Sequence, residues 1–145
     1  MNVFLPVRSA PRVFAALQPL GVAPPRTAER AHLVDQGQVR LLWEHTPLDL
    51  FFSYDPLHGS CLDRVRRVPF GDDAQLAILS PEDLAVFKVL FDRRKDRDDL
   101  AELLFAQGGD FDAAYALELL GRILEPDDAQ LARFAALVEG GDAGR

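Results

Sequence analysis

Cysteine is all but missing from this sequence. Cys61 is the only one, which excludes an internal disulfide and fits a reducing compartment. Basic charge is short as well: 16 lysines and arginines face 23 acids, for a net charge of −7. That balance argues against a general nucleic-acid coat, which needs a basic stripe. No apolar run is long enough to span a bilayer. The opening "MNVFLPVRSAPRV" lacks the basic, apolar and small-residue blocks of a signal peptide. A cytoplasmic protein without a membrane partner is the expectation. There is no glycine-rich phosphate loop, internal repeat or low-complexity tract. "HGSCLD" lacks the strand-to-turn frame of a nucleophile elbow. His32, His45 and His58 have no metal-ligand spacing, and Cys61 has no evident partner for nucleophilic work.

What remains is a chain able to bury a core: 145 residues, about one domain's length, of which 48% are hydrophobic. Its charge is uneven. Residues 1–70 hold eight arginines and six acids, whereas residues 71–145 hold eight basic residues and seventeen acids. A local basic site in the first half stays open. Arg64, Arg66 and Arg67 would suit either a phosphate or a solvated helix face.

The pattern predicts a strand at "NVFLP", then a helix over 9–21 with Ser9 as cap, Pro11 in its first turn and Gly21 at its end. Residues 22–37 are a short polar segment of no assigned form. "QVRLLWE" and "PLDLFFS", separated by "HT", predict a hairpin. Residues 55–67 read as a helix or helical turn, and "VPF" and "QLAIL" as short extended pieces. From Ser80 the pattern is all-helical, with helices opening at Ser80, near Lys95, near Asp112 and near Pro126. The fold class is therefore α+β: a small mixed sheet flanked by helices over residues 1–79, a C-terminal helical bundle over 80–139, and a disordered tail over 140–145.

Three features ask for a partner. Asp49 lies in "PLDLFF", where an ionised acid among apolar residues is costly unless paired or bound to metal. It either points to a solvent face with Phe51 partly exposed, or projects into a cleft as a metal-ligating or general-base carboxylate. Lys88 is the only polar residue in "LAVFKVLF", a helix apolar nearly all round. It either wants an acid or phosphate nearby, or snorkels along one wet stripe. In "RRKDRDDL", Asp96 and Asp99 lie three apart and border the stripe continued by Leu100 and Leu103, while Asp98 faces elsewhere. The helix dipole accounts well for Asp96 and less well for Asp99.

Taken together, "TPLDLFFS" and "SPEDLAVFKVLFDRRKDRDDLAELL" resemble a minimal nucleotidyltransferase of the DNA polymerase β-like superfamily, in the branch containing AbiEii-type toxin nucleotidyltransferases. The similarity covers roughly residues 2 to 105. It implies a nucleotidyltransferase-like fold and metal-dependent transfer of a nucleoside monophosphate from an NTP to an acceptor, which is a protein, a small molecule or tRNA. By the resemblance, Asp49 is the third catalytic carboxylate and a Mg²⁺ ligand. Lys88 is a catalytic or nucleotide-binding lysine, Lys95 a nucleotide-binding one, and Asp96 and Asp99 a supporting network. The family's Gly-Ser motif and D-x-D pair, which supply its other two carboxylates, do not occur upstream of Asp49. The expectation is a chain inactive as it stands, or one whose true start lies upstream of Met1. The rival expectation is a non-enzymatic interaction or antitoxin-like regulatory protein on the same scaffold, binding a cognate chain or forming a homodimer.

Overall fold

In a computed structural model the described residues are 2–6, 10–53 and 56–142. The expected Ser9 cap lies outside them. Two compact units divide the chain, Met1–Val65 and Arg66–Arg145, and the class is α+β as the sequence predicts.

The first unit is built on strands β1 (Asn2–Pro6), β2 (Gln38–Trp43) and β3 (Thr46–Ser53) in the order β1-β3-β2. β1 pairs with β3 in parallel and β2 with β3 antiparallel, so the sheet is mixed. Strand side chains alternate between faces. Val39 and Leu41 of β2 therefore join Leu48, Leu50 and Phe52 of β3 on one buried face. Helix α1 (Ala10–Leu17) covers that face with Val13, Phe14 and Leu17, and the Phe14 and Phe52 ring centroids lie 6.0 Å apart. A short 3-10 turn follows and ends at Gly21, whose φ of 81° suits the residue without a side chain. The unassigned segment contains a helix, α2 (Thr27–Gln36), opened by Glu29, which accepts a hydrogen bond from the Arg26 backbone N–H. Helix α3 (Pro56–Asp63) closes the unit. It is shorter than the 55–67 expectation because Arg66 already belongs to a strand.

The second unit starts with a hairpin of β4 (Arg66–Phe70) and β5 (Ala74–Ile78), followed by α4 (Pro81–Phe91), α5 (Arg94–Gln107), α6 (Ala113–Gly121) and α7 (Ala129–Asp142). Helix α4 is central to the bundle: α5, α6 and α7 all pack on it. Its Ala85, Val86, Phe87 and Val89 are buried with Leu100, Ala116, Leu120 and Phe134 of the other helices. Residues 140–142, read in the sequence as the start of a disordered tail, form the last turn of α7. Glycine costs a helix interior about 1 kcal/mol, but far less matters at an end that frays. Residues 143–145 lie outside the described residues. None of the described helices is long and apolar enough to cross a membrane.

Candidate functional site

Asp49 sits in the middle of β3, on the face opposite Leu48 and Leu50. Its partner is Arg40, directly across the ladder on β2. Arg40 Nε donates to Asp49 Oδ1 at 2.6 Å and Nη2 to Oδ2 at 3.0 Å. This two-pronged pair satisfies both carboxylate oxygens, and planar guanidinium matches carboxylate in that way. The Asp49 side chain is 21% exposed and that of Arg40 72%. Hydrogen bonding from Arg40 holds the Asp49 carboxyl below its ordinary value, against the upward push of burial. The acid inside the apolar run thus stands on the wetter face of the sheet, beside a half-buried Phe51. That is the first of the two placements its sequence allows.

Arg40 is the residue that sequence reasoning missed, although a signal existed. The turn of the β2–β3 hairpin is Glu44-His45, one residue earlier than "HT". A two-residue turn there fixes the register and pairs residue 40 with residue 49. Glu44 adopts φ 54°, the positive value that such tight turns impose.

In the second unit the structure brings Lys88, Asp96 and Asp99 together. Lys88 Nζ lies 2.5 Å from Asp99 Oδ2 and 3.8 Å from Asp96 Oδ1, with its side chain 16% exposed. Asp96 is buried at the first turn of α5 and accepts from Arg93 through both the backbone N–H and the guanidinium. Those hydrogen bonds hold its carboxyl below the ordinary value, with burial opposing. Lys88 therefore has the acidic neighbours its setting calls for, and they tie α4 to α5. Lys95 is exposed on the first turn of α5, and Asp98 is exposed as well.

A second polar cluster forms at the start of α4. Ser80 caps the helix: its Oγ accepts from the Asp83 N–H at 3.1 Å and donates to Asp83 Oδ2 at 2.7 Å. Tyr115 of α6 donates to Asp83 Oδ1 at 2.8 Å. The neighbouring Glu82 accepts from the Asp112 N–H at 3.4 Å, and Arg66 lies 3.6 Å away. Ser80, Glu82 and Asp83 are all fully buried. The "S-P-E-D" motif thus fastens α4 to α6 and β4. Ser80 and Asp83 are visible in the sequence as capping residues, but nothing local marks Tyr115.

The donor set does not suit a divalent ion. Mg²⁺ demands hard oxygen ligands in near-octahedral array, whereas both Asp49 oxygens are engaged by a cation. Among the described residues no group of three or more His, Cys, Asp or Glu side chains is placed to hold a metal. Cys61 is a buried thiol in α3. No family model and no curated protein matches the chain.

Proposed function

We propose that this chain carries the scaffold of a minimal nucleotidyltransferase of the polymerase β-like type and, by itself, does not transfer nucleotides. The observation that carries the reading is the register of the first unit's sheet. β1 runs parallel to β3 with Asn2 opposite Asp49. By the resemblance the family's other two acids stand on its first strand, and a first strand paired with the one that bears Asp49 supports that reading. The ordered motif over residues 80–100 supports the same reading, with Lys88 and Asp96 in the role of helix-locking residues. The pairing of Asp49 with Arg40 supports inactivity, since a metal ion would have to displace a guanidinium. A cytoplasmic setting is part of the proposal and rests on the lone, buried Cys61.

Titration calorimetry with MgCl₂ and each NTP tests this. No Mg²⁺-dependent nucleotide binding is expected from the 145 residues. Binding that disappears in Asp49→Ala would show a live site and overturn the claim of inactivity. A crystal structure tests the scaffold claim: residues 2–105 are expected to superpose on a nucleotidyltransferase of that superfamily, and a different strand order or chain path removes the reading.

A non-enzymatic interaction or regulatory role is the second reading. One observation favours it: Phe70, Leu76 and Ile78 of the β4–β5 hairpin are exposed at 65%, 47% and 39%. Apolar surface grouped in this way marks interaction sites more than chance scatter does.

A further inference from the structure

The β4–β5 hairpin is a two-stranded ribbon, and such ribbons are at best marginal in water without a third strand or a packed face. No helix packs broadly on either strand among the described residues. Opposed residues of an antiparallel pair project to the same side. The register pairs Arg66 with Ile78, Val68 with Leu76, and Phe70 with Ala74. One face is thus apolar along its length (Val68, Phe70, Ala74, Leu76 and Ile78), with Arg66 at its base. The reverse face carries Arg67, Pro69, Gln75 and Ala77. Every β5 residue is exposed.

Charge along the ribbon decides what covers it. Arg66 and Arg67 stand at the base, whereas the turn that ends the ribbon carries Asp72 and Asp73, all four exposed. A surface that is basic at one end, acidic at the other and apolar between complements its own copy turned end for end. A two-fold axis supplies that relation. We propose that the hairpin is the self-association surface of this protein. Two copies stack their apolar faces antiparallel, and the Asp72–Asp73 tip of each lies against the Arg66–Arg67 base of the other. Stacking at the usual spacing of about 10 Å removes Phe70, Leu76 and Ile78 from water on both copies.

Sedimentation of the full chain from about 1 to about 100 µM, the window for micromolar association, reads the proposal. A mass rising to twice the 16.1 kDa of one chain is expected. A monomer throughout that range overturns it. Phe70→Asp and Leu76→Asp should each raise the dissociation constant by about tenfold or more, as truncation of a central contact does. A dimer indifferent to both places the interface elsewhere. Asp72→Lys with Asp73→Lys should abolish self-association, and mixing this variant with Arg66→Glu/Arg67→Glu should restore a heterodimer. Failure of the mixture, with both variants folded by circular dichroism, rejects the end-for-end arrangement. If the arginine variant does not fold, the tip variant decides the matter alone, since its two substitutions lie on an exposed turn.

Discussion

Asp83 shows how a single acid is retained in a core. Its carboxylate accepts from the Ser80 hydroxyl and the Tyr115 phenol, and its backbone N–H bonds to the Ser80 oxygen. Tyr115→Phe removes the phenol donor from Asp83, so a loss of about 1–2 kcal/mol is expected in urea denaturation read at 222 nm. Ser80→Ala removes the cap as well and should cost at least as much, about 1–2 kcal/mol. A wild-type midpoint in Tyr115→Phe would mean that the phenol bond is not made in solution. Acid pH probes the same class of group. Hydrogen bonds from arginines hold the carboxyls of Asp49 and Asp96 below their ordinary value. Each then contributes stability that is complete above about pH 4 and fades as the pH falls through its lower, folded value. The urea midpoint should drop below about pH 4, and less steeply in Asp96→Asn. At this scale the sequence showed which residues needed partners but not always who answered. Lys88, Asp96 and Asp99 were legible because helical spacing put two acids on one edge. Arg40 was not, because its link to Asp49 depends on a turn position one residue from the one the pattern suggested.

Elements with one strong periodic face are the ones the sequence predicts well. The β2–β3 hairpin belongs to this class, its alternation matching a single buried surface, and α4 is legible instead because it is apolar nearly all round and is covered by α5, α6 and α7. Helix α2 has neither signal. Only Leu33 of its apolar residues packs on the sheet core, and Val34 is 87% exposed. With so little amphipathic signal, its start depends on the Arg26–Glu29 contact, which composition does not reveal. The end of α4 depends on Asp92, which adopts a left-handed conformation at φ 48°. Its carboxylate also accepts from Arg97 of α5 and Arg133 of α7. Asparagine and aspartate tolerate that backbone better than other side chains. Lys88→Met is the element-scale test of how α4 and α5 are joined. It retains the apolar stem but leaves Asp96 buried with one cation fewer. A loss of about 1–3 kcal/mol is expected, as for an acid stripped of a partner. Asp99→Ala, at the exposed end of the same contact, should cost less than about 1 kcal/mol. Equal losses in the two variants would show that Asp96 does not depend on Lys88.

Across the whole chain the charge is partitioned as the units are. Residues 1–65 hold six basic and six acidic residues, whereas residues 66–145 hold ten basic and seventeen acidic ones. The full net charge of −7 therefore belongs to the second unit. Excess charge of one sign works against a compact state through self-repulsion, and salt screens it over a length of about 10 Å at 0.1 M. The chain carries a probe for each unit. Trp43, its only tryptophan, reports on the first, while α4–α7 carry most of the helical signal at 222 nm. Raising NaCl from about 0.02 to about 0.3 M, a range over which the screening length falls severalfold, should move the helical transition to higher urea. The Trp43 fluorescence transition should move much less, because no net charge is relieved around it. The opposing loss of screened ion pairs is small, since exposed pairs contribute at most about 1 kcal/mol each. A fluorescence transition that shifts as far as the helical one would mean that the repulsion is felt by the chain as a single body. The acidity of residues 66–145 would then say nothing about the stability of that unit alone.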